Sequence, residues 1–191
     1  VIDYFSCLAN ICADHINEFC KVIKEAVNNK ALAGVFYGYT LNAPYNQDFF
    51  GEKESSFGGN TGEGNKYSKI QRDGHLAFMK VLKSPYVDFV ISPVSYGFRG
   101  IGGDGITTYL TESVRLHGKL GIVEDDIRLH DTPASRLKEP LIYGRTRSLQ
   151  ESISIMRRDF ARGLIHGQGI WRAPVADQQL YPTLKRFNEL G

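Results

Sequence analysis

The chain has 191 residues, 42% of them apolar, which suits one globular domain with a real core and argues against a disordered segment. Its 23 basic and 21 acidic side chains leave a net charge of +2 and are mixed along the sequence, so no basic stripe is present to carry a nucleic acid. No apolar run approaches the roughly 20 residues that cross a bilayer, and the charges within residues 1–30 exclude a signal-peptide core there.

In chain order, Ile2, Phe5, Leu8, Cys12, Ile16, Phe19 and Ile23 recur every three or four positions and predict an amphipathic helix ending near Asn28 and Asn29. That helix carries all three cysteines, Cys7, Cys12 and Cys20. Cys12 and Cys20 share a face but lie about 12 Å apart at 1.5 Å per residue, too far for a disulfide. With no close Cys-x-x-Cys pair, the three read as buried free thiols rather than zinc ligands. Residues 32–40, LAGVFYGYT, predict a strand buried on both faces. Residues 42–65, rich in Gly, Asn, Ser and aromatics, predict a long loop of the kind that usually carries function. A helix over 66–83 closes at Ser84-Pro85 and is followed by a strand over 87–92 and the loop 93–105, PVSYGFRGIGGDG. A short helix over 107–116 leads to a strand over 119–124, KLGIVE, which opens into an acidic loop over 125–131. A helix over 149–164, with Leu149, Ile153, Met156, Phe160 and Leu164 on one side, and a strand over 167–171, GQGIW, complete the pattern.

Regular alternation of this kind predicts an α/β fold of parallel β/α units, with active-site loops after the C-terminal ends of the strands. Four strands with their helices are half of the roughly 250 residues of an eight-stranded barrel, and half a barrel does not close. Three arrangements follow: part of a longer protein, a half-barrel that pairs with another copy, or a doubly wound open sheet.

The segment richest in chemistry is HGKLGIVEDDIRLHD, residues 117–131, where an apolar strand runs into Glu124, Asp125, Asp126, Arg128, His130 and Asp131. Leu120, Ile122 and Glu124 share a strand face, so a carboxylate ends a line of core residues. The plain alternative is a strand-end acid that caps a helix or pairs with Arg128. Glu124, Asp126, His130 and Asp131 could together hold a divalent metal, although that cluster has a single histidine. His15, His75, His117 and His166 are scattered and read as structural. The run GIGGDG lacks the Gly-x-x-x-x-Gly-Lys-Ser/Thr spacing of a phosphate loop. No cofactor is expected.

The pattern His-Gly-Lys-Leu, three small or apolar residues, Glu, any residue, Asp, any residue, Arg resembles the seventh-strand region of barrel glycosidases related to the family-42 β-galactosidases. VIDYFSCL resembles that family's Asp-aromatic segment leading into helix four, SPVSYGFRGIGGDG its sixth-strand loop, and HGQGIW its strand eight. The resemblance spans nearly the whole chain, with its specific part around Glu124. It implies that residues 1–191 are a partial catalytic domain, the C-terminal half (strands 5 to 8) of a TIM-type (β/α)₈ barrel. It implies a retaining glycoside hydrolase with Glu124 as nucleophile. The second carboxyl group, which such an enzyme needs about 5 to 5.5 Å away, would end strand four, before Val1. The partners implied are a carbohydrate substrate and the missing N-terminal half of the barrel or another chain. Ser6-Cys7 replaces the relatives' frequent Arg-Phe, and Arg172-Ala173-Pro174 follows Trp171 where a second aromatic and an acid are frequent, which implies a shifted substrate preference.

Sugars are held by aromatic faces and by polar groups on their hydroxyls. The candidates for that role are Trp171, the chain's only tryptophan, the pair Tyr37 and Tyr39 expected on one face, and the loop residues Tyr96, Asp104 and Arg128. Two rival functions are a carbohydrate-binding relative without catalysis and a metal-dependent hydrolase built on the acidic loop.

Overall fold

The apolar repeat of the first segment forms helix α1, Ile2–Ala26, in the computed structural model, which describes residues 2–41, 74–133, 144–172 and 175–191. The loop expected over 42–65 lies outside the described residues. Asn28 and Asn29 take left-handed φ values of 49° and 57°, and the Asn29 N–H returns to the Lys24 carbonyl, which ends α1 where its asparagines predict. Next come β1, Gly34–Phe36, a 3₁₀ turn at His75–Ala77, and α2, Phe78–Leu82. They are followed by β2, Phe89–Pro93, a 3₁₀ turn at Tyr96–Phe98, α3, Thr111–Leu116, and β3, Leu120–Asp125. The chain continues through α4, Leu149–His166, β4, Gly169–Arg172, a 3₁₀ turn at Gln178–Leu180, and α5, Tyr181–Leu190.

The fold is α/β, as the alternation predicts: the four strands make one parallel sheet in the order β1-β2-β3-β4, each strand beside its predecessor. The described helices cover one face. Val87 and Val90 pack with Ala13 and Cys20 of α1, Phe78, Val81 and Leu82 of α2, and Val114 of α3. Val123 packs with Ile155 and Met156 of α4 and with Leu180. On the other face Phe36, Leu120 and Trp171 are 42%, 40% and 51% exposed. The Phe36 and Trp171 rings lie 5.9 Å apart, although they belong to the two outer strands. A flat sheet holds strands three places apart at about 14 Å, so this sheet bends toward the face that the described helices do not cover and makes it concave.

Several elements differ from expectation. Of the helix expected over 66–83, the described part begins only after Gly74, whose φ of 78° interrupts a helical path. The helix expected from residue 107 starts at Thr111, because Thr107 forms a bridge with Val94 that folds the 93–105 loop back onto the sheet. Helix α5 is an addition to the expected order. It carries a proline at its start, and its Leu184 and Phe187 pack on the α4 cluster, Phe187 stacking on Phe160 at 4.2 Å. The three cysteines are free, but only Cys20 is buried and Cys7 is exposed, since α1 packs just its Ala9, Ala13 and Cys20 side. No described helix is long and apolar enough to cross a membrane.

Candidate functional site

Alternation along β3 sends Gly121, Val123 and Asp125 into the helix-facing core and Leu120, Ile122 and Glu124 onto the concave face. Register aligns Pro93, Glu124 and Trp171 in one row across β2, β3 and β4. Glu124 and Trp171 therefore stand side by side at the C-terminal ends of their strands, where parallel α/β folds collect their sites.

Two phenols reach the same place. Burial and then the charge of Glu124 push the Tyr39 hydroxyl well above its ordinary range. The Tyr96 hydroxyl is likewise raised, by burial first, then by Asp126 and more weakly by Glu124. Both stay protonated donors across the physiological range. Glu124 itself is raised by burial and by the neighbouring Asp126, with Arg128 acting against that shift.

Asp126 anchors the floor of the site. Its two carboxylate oxygens take a fork from Arg128, through Nη1 and, at 3.3 Å, Nη2, and the Tyr96 hydroxyl donates to Oδ2 at 3.0 Å. Arg99, fully buried, donates to the Asp126 carbonyl at 3.1 Å and lies 4.4 Å over the Tyr96 ring. Burial pushes the Asp126 carboxyl up, but the hydrogen bonds and charges of Arg128 and Arg99 outweigh it and hold the group below the ordinary carboxylate range. Asp126 is thus a fixed negative charge and a poor proton donor.

Behind Tyr39 stands His75, whose ring stacks on the phenol at 4.7 Å and 7°. The Gly38 N–H donates to His75 Nδ1 at 3.0 Å, which leaves the proton of the neutral imidazole on Nε2. Burial lowers the His75 pKa to about 4, so the ring is neutral at physiological pH.

Tyr37 and Tyr39 meet on one ring, that of His75, at 4.8 Å and 4.7 Å, but Gly38, with φ 90°, breaks the strand alternation between them and only Tyr39 lies near Glu124. Tyr37 is buried on the helix side beside Phe78, and its hydroxyl donates to the Gly74 carbonyl at 2.7 Å. Asp104 is also placed elsewhere: it is exposed, accepts from the Ile106 N–H at 2.9 Å, and its charge acts on Asp159 of α4. Arg128 is at the site, buried and directed at Asp126. The acidic loop does not converge on a metal. Asp126 is held by Arg128, His130 lies between Ser152 at 2.7 Å and Asp177 at 3.0 Å, and Asp131 accepts from the N–H groups of Ala176 and Asp177. Among the described residues no group of three His, Cys, Asp or Glu side chains could hold a metal ion. Arg99, His75 and Phe36 were not foreseen in this neighbourhood, since each arrives from a different loop or strand with no local motif.

The raised Glu124 carboxyl has a consequence for stability. Folding favours the protonated form, so the wild-type chain is penalised at pH values above the ordinary glutamate range and loses that penalty below it. Glu124→Gln is therefore expected to raise the melting temperature at pH 7 and to leave it unchanged near pH 3.5. Thermal melts of both proteins at the two pH values check this, and a Gln variant that is less stable at neutral pH would contradict it. Compared with known proteins, the chain matches no family model, no curated protein and no solved structure.

Proposed function

We propose that the chain is a retaining, β-galactosidase-like glycoside hydrolase, that its sheet forms strands five to eight of a (β/α)₈ barrel, and that Glu124 is the nucleophile. The observation that carries this reading is the row Glu124–Trp171 on the concave face, with the hydroxyls of Tyr39 and Tyr96 close enough to feel the Glu124 charge. Strand order without reversal supports a barrel over a doubly wound sheet, whose order reverses at a switch point.

In this mechanism the Glu124 carboxylate attacks the anomeric carbon as the glycosidic C–O bond breaks, and the leaving oxygen takes a proton from a second carboxyl group. Water then cleaves the glycosyl–Glu124 ester with the second carboxyl acting as base. Trp171, whose ring meets that of Phe36 at 68°, offers a sugar an indole surface, and Tyr39 offers an O–H donor to its hydroxyls. Arg128 offsets the repulsion of Asp126 and helps keep Glu124 ionised for attack. Asp126, held ionised, does not supply the proton, so the donor must come from the opposite wall of the barrel mouth.

A binding role without turnover is the second reading. It is favoured by the fact that Asp126, the carboxylate whose charge acts on Glu124, is unfit as an acid. One experiment separates the two. A 2-deoxy-2-fluoro-β-galactoside with a dinitrophenolate leaving group needs no acid for its first step, so incubation with the chain should add one fluorosugar to the peptide containing Glu124. Tandem mass spectrometry reads the site. Modification of another residue would reassign the nucleophile, and sugar binding without any modification would select the binding role.

A further inference from the structure

We infer that in solution this chain pairs with a second copy of itself about a twofold axis running along the strands, β1 of each copy lying beside β4 of the other, so that two four-stranded sheets close one eight-stranded barrel. The inference rests on one part of the proposed function, that this sheet is half of an eight-stranded barrel, and differs from it in having a second copy supply the other four strands.

Strand polarity is the first argument. All four strands run the same way and β1 and β4 are the outer ones, so each lacks a neighbour on one side among the described residues. A twofold axis parallel to the strands keeps every strand parallel and matches β1 to β4 twice, satisfying both open edges with one kind of seam. The second argument is the concave face. Phe36, Leu120 and Trp171 are exposed on it, and a bend strong enough to join the rings of the outer strands needs four more strands, not a flat continuation, to cover that apolar lining.

The third argument is that the two edges differ in complementary ways. On the β1 side, α1 packs on α2 and its preceding turn and leaves Tyr4, Phe19 and Val22 outside, at 67%, 69% and 52% exposure. On the β4 side, α4, α5 and β4 form an open recess of about 530 Å³ with Phe160, Leu164, Ile170, Leu184 and Phe187 on its walls, beside the polar Gln168 and Asn188. The exposed apolar groups of α1 thus have a partly apolar recess to meet in the twofold arrangement. Charge follows the same division. Helix α1 holds four acidic residues (Asp3, Asp14, Glu18, Glu25) against two lysines, a net charge of −2. Helices α4 and α5 together hold five basic residues (Arg157, Arg158, Arg162, Lys185, Arg186) against three acidic ones, a net charge of +2. The twofold arrangement sets the acidic helix of each copy beside the basic pair of the other and avoids like-charge contact.

Light scattering at tens of micromolar should give twice the chain mass of 21.4 kDa. The lone Trp171 makes a second readout, because closure moves it from half-exposed to the barrel interior: its emission should shift to the blue, and acrylamide quenching should weaken, as concentration rises through the dimer range. Phe19→Ser with Val22→Ser, both at exposed positions, should weaken association tenfold or more while circular dichroism stays unchanged. Reversing Glu18 and Glu25 to arginine should weaken it about tenfold, and reversing Arg157 and Lys185 to glutamate in the same chain should restore it. A folded chain that stays at 21.4 kDa with concentration-independent Trp171 emission overturns the inference, as does a dimer indifferent to all of these changes. A monomer whose Glu124 is still modified by the fluorosugar would sink the dimer alone, and a dimer without modification would sink the hydrolase alone.

Discussion

Glu124→Gln is expected to lower turnover of an activated aryl β-galactoside by about 10⁴-fold or more, the scale seen when a nucleophile is removed from a working site. The amide is nearly isosteric with the carboxylate and sits on the half-buried concave face, so packing is preserved. What is lost, in the proposed mechanism, is the charge that attacks the anomeric carbon. The loss should appear in kcat and in kcat/KM together, because the interaction exists only in the transition state. A second variant fixes the assignment. Glu124→Ala opens space beside Trp171, and added azide should then recover part of the rate and give a glycosyl azide of inverted configuration, whereas the wild-type chain should give a product of retained configuration. Near-normal turnover by the Gln variant, or an azide product of retained configuration, would place the nucleophile elsewhere.

The largest effect on stability is expected behind the site, where Asp125 and Arg172 pair between β3 and β4 on the helix side. The Asp125 side chain is fully buried, that of Arg172 nearly so, and Asp125 Oδ1 has no hydrogen-bond partner. Burial lowers the Arg172 pKa to about 10, which marks how unfavourable the environment is for charge. Arg172→Met leaves the carboxylate buried and uncompensated and should cost about 3–5 kcal/mol. The double variant Asp125→Leu, Arg172→Met should regain most of that, since an apolar pair of similar volume is often neutral or better than a buried ion pair. Urea titrations of the two variants and the wild type decide it. A loss below about 1 kcal/mol for Arg172→Met would mean that water or a proton reaches Asp125.

These two pairs of residues also show where the sequence speaks plainly. Strand β3 is legible because Leu120, Ile122 and Glu124 alternate with Gly121, Val123 and Asp125, and a period of two holds wherever the backbone stays extended. The row that joins Glu124 to Trp171 follows once the strands are known to be parallel and adjacent. Tyr37 and Tyr39 are expected on one face by the same logic; both rings reach His75, but Tyr37 belongs to the helix-side core, because the rule needs unbroken extended backbone and Gly38 breaks it. The clasp of Asp126 by Arg128, Arg99 and Tyr96 was illegible for another reason. Tyr96 and Arg99 come from the loop after β2, some thirty residues earlier, and no local pattern reports which arginine a carboxylate will meet. Asp104 and Asp126 look equivalent in the sequence, but one ends in an exposed turn and the other under two guanidinium groups.

The order of the strands bears on how the chain acquires its shape. Each pairing joins consecutive strands: Gly34 meets Phe89, Phe89 meets Leu120, and Ile122 meets Gly169, separations of 55, 31 and 47 residues. Because closure entropy grows only with the logarithm of loop length, these three steps differ by only about 0.5 kcal/mol, and none demands that a distant part of the chain arrive first. A nascent chain leaving the ribosome can therefore dock each β/α unit on the one before it, N-terminus first. At every stage the newest strand is a bare parallel edge, the form most prone to capture by another unfinished chain. Slow synthesis, which lets each unit dock before the next appears, favours the native sheet, while rapid dilution of a concentrated unfolded sample presents all four edges at once and favours aggregates.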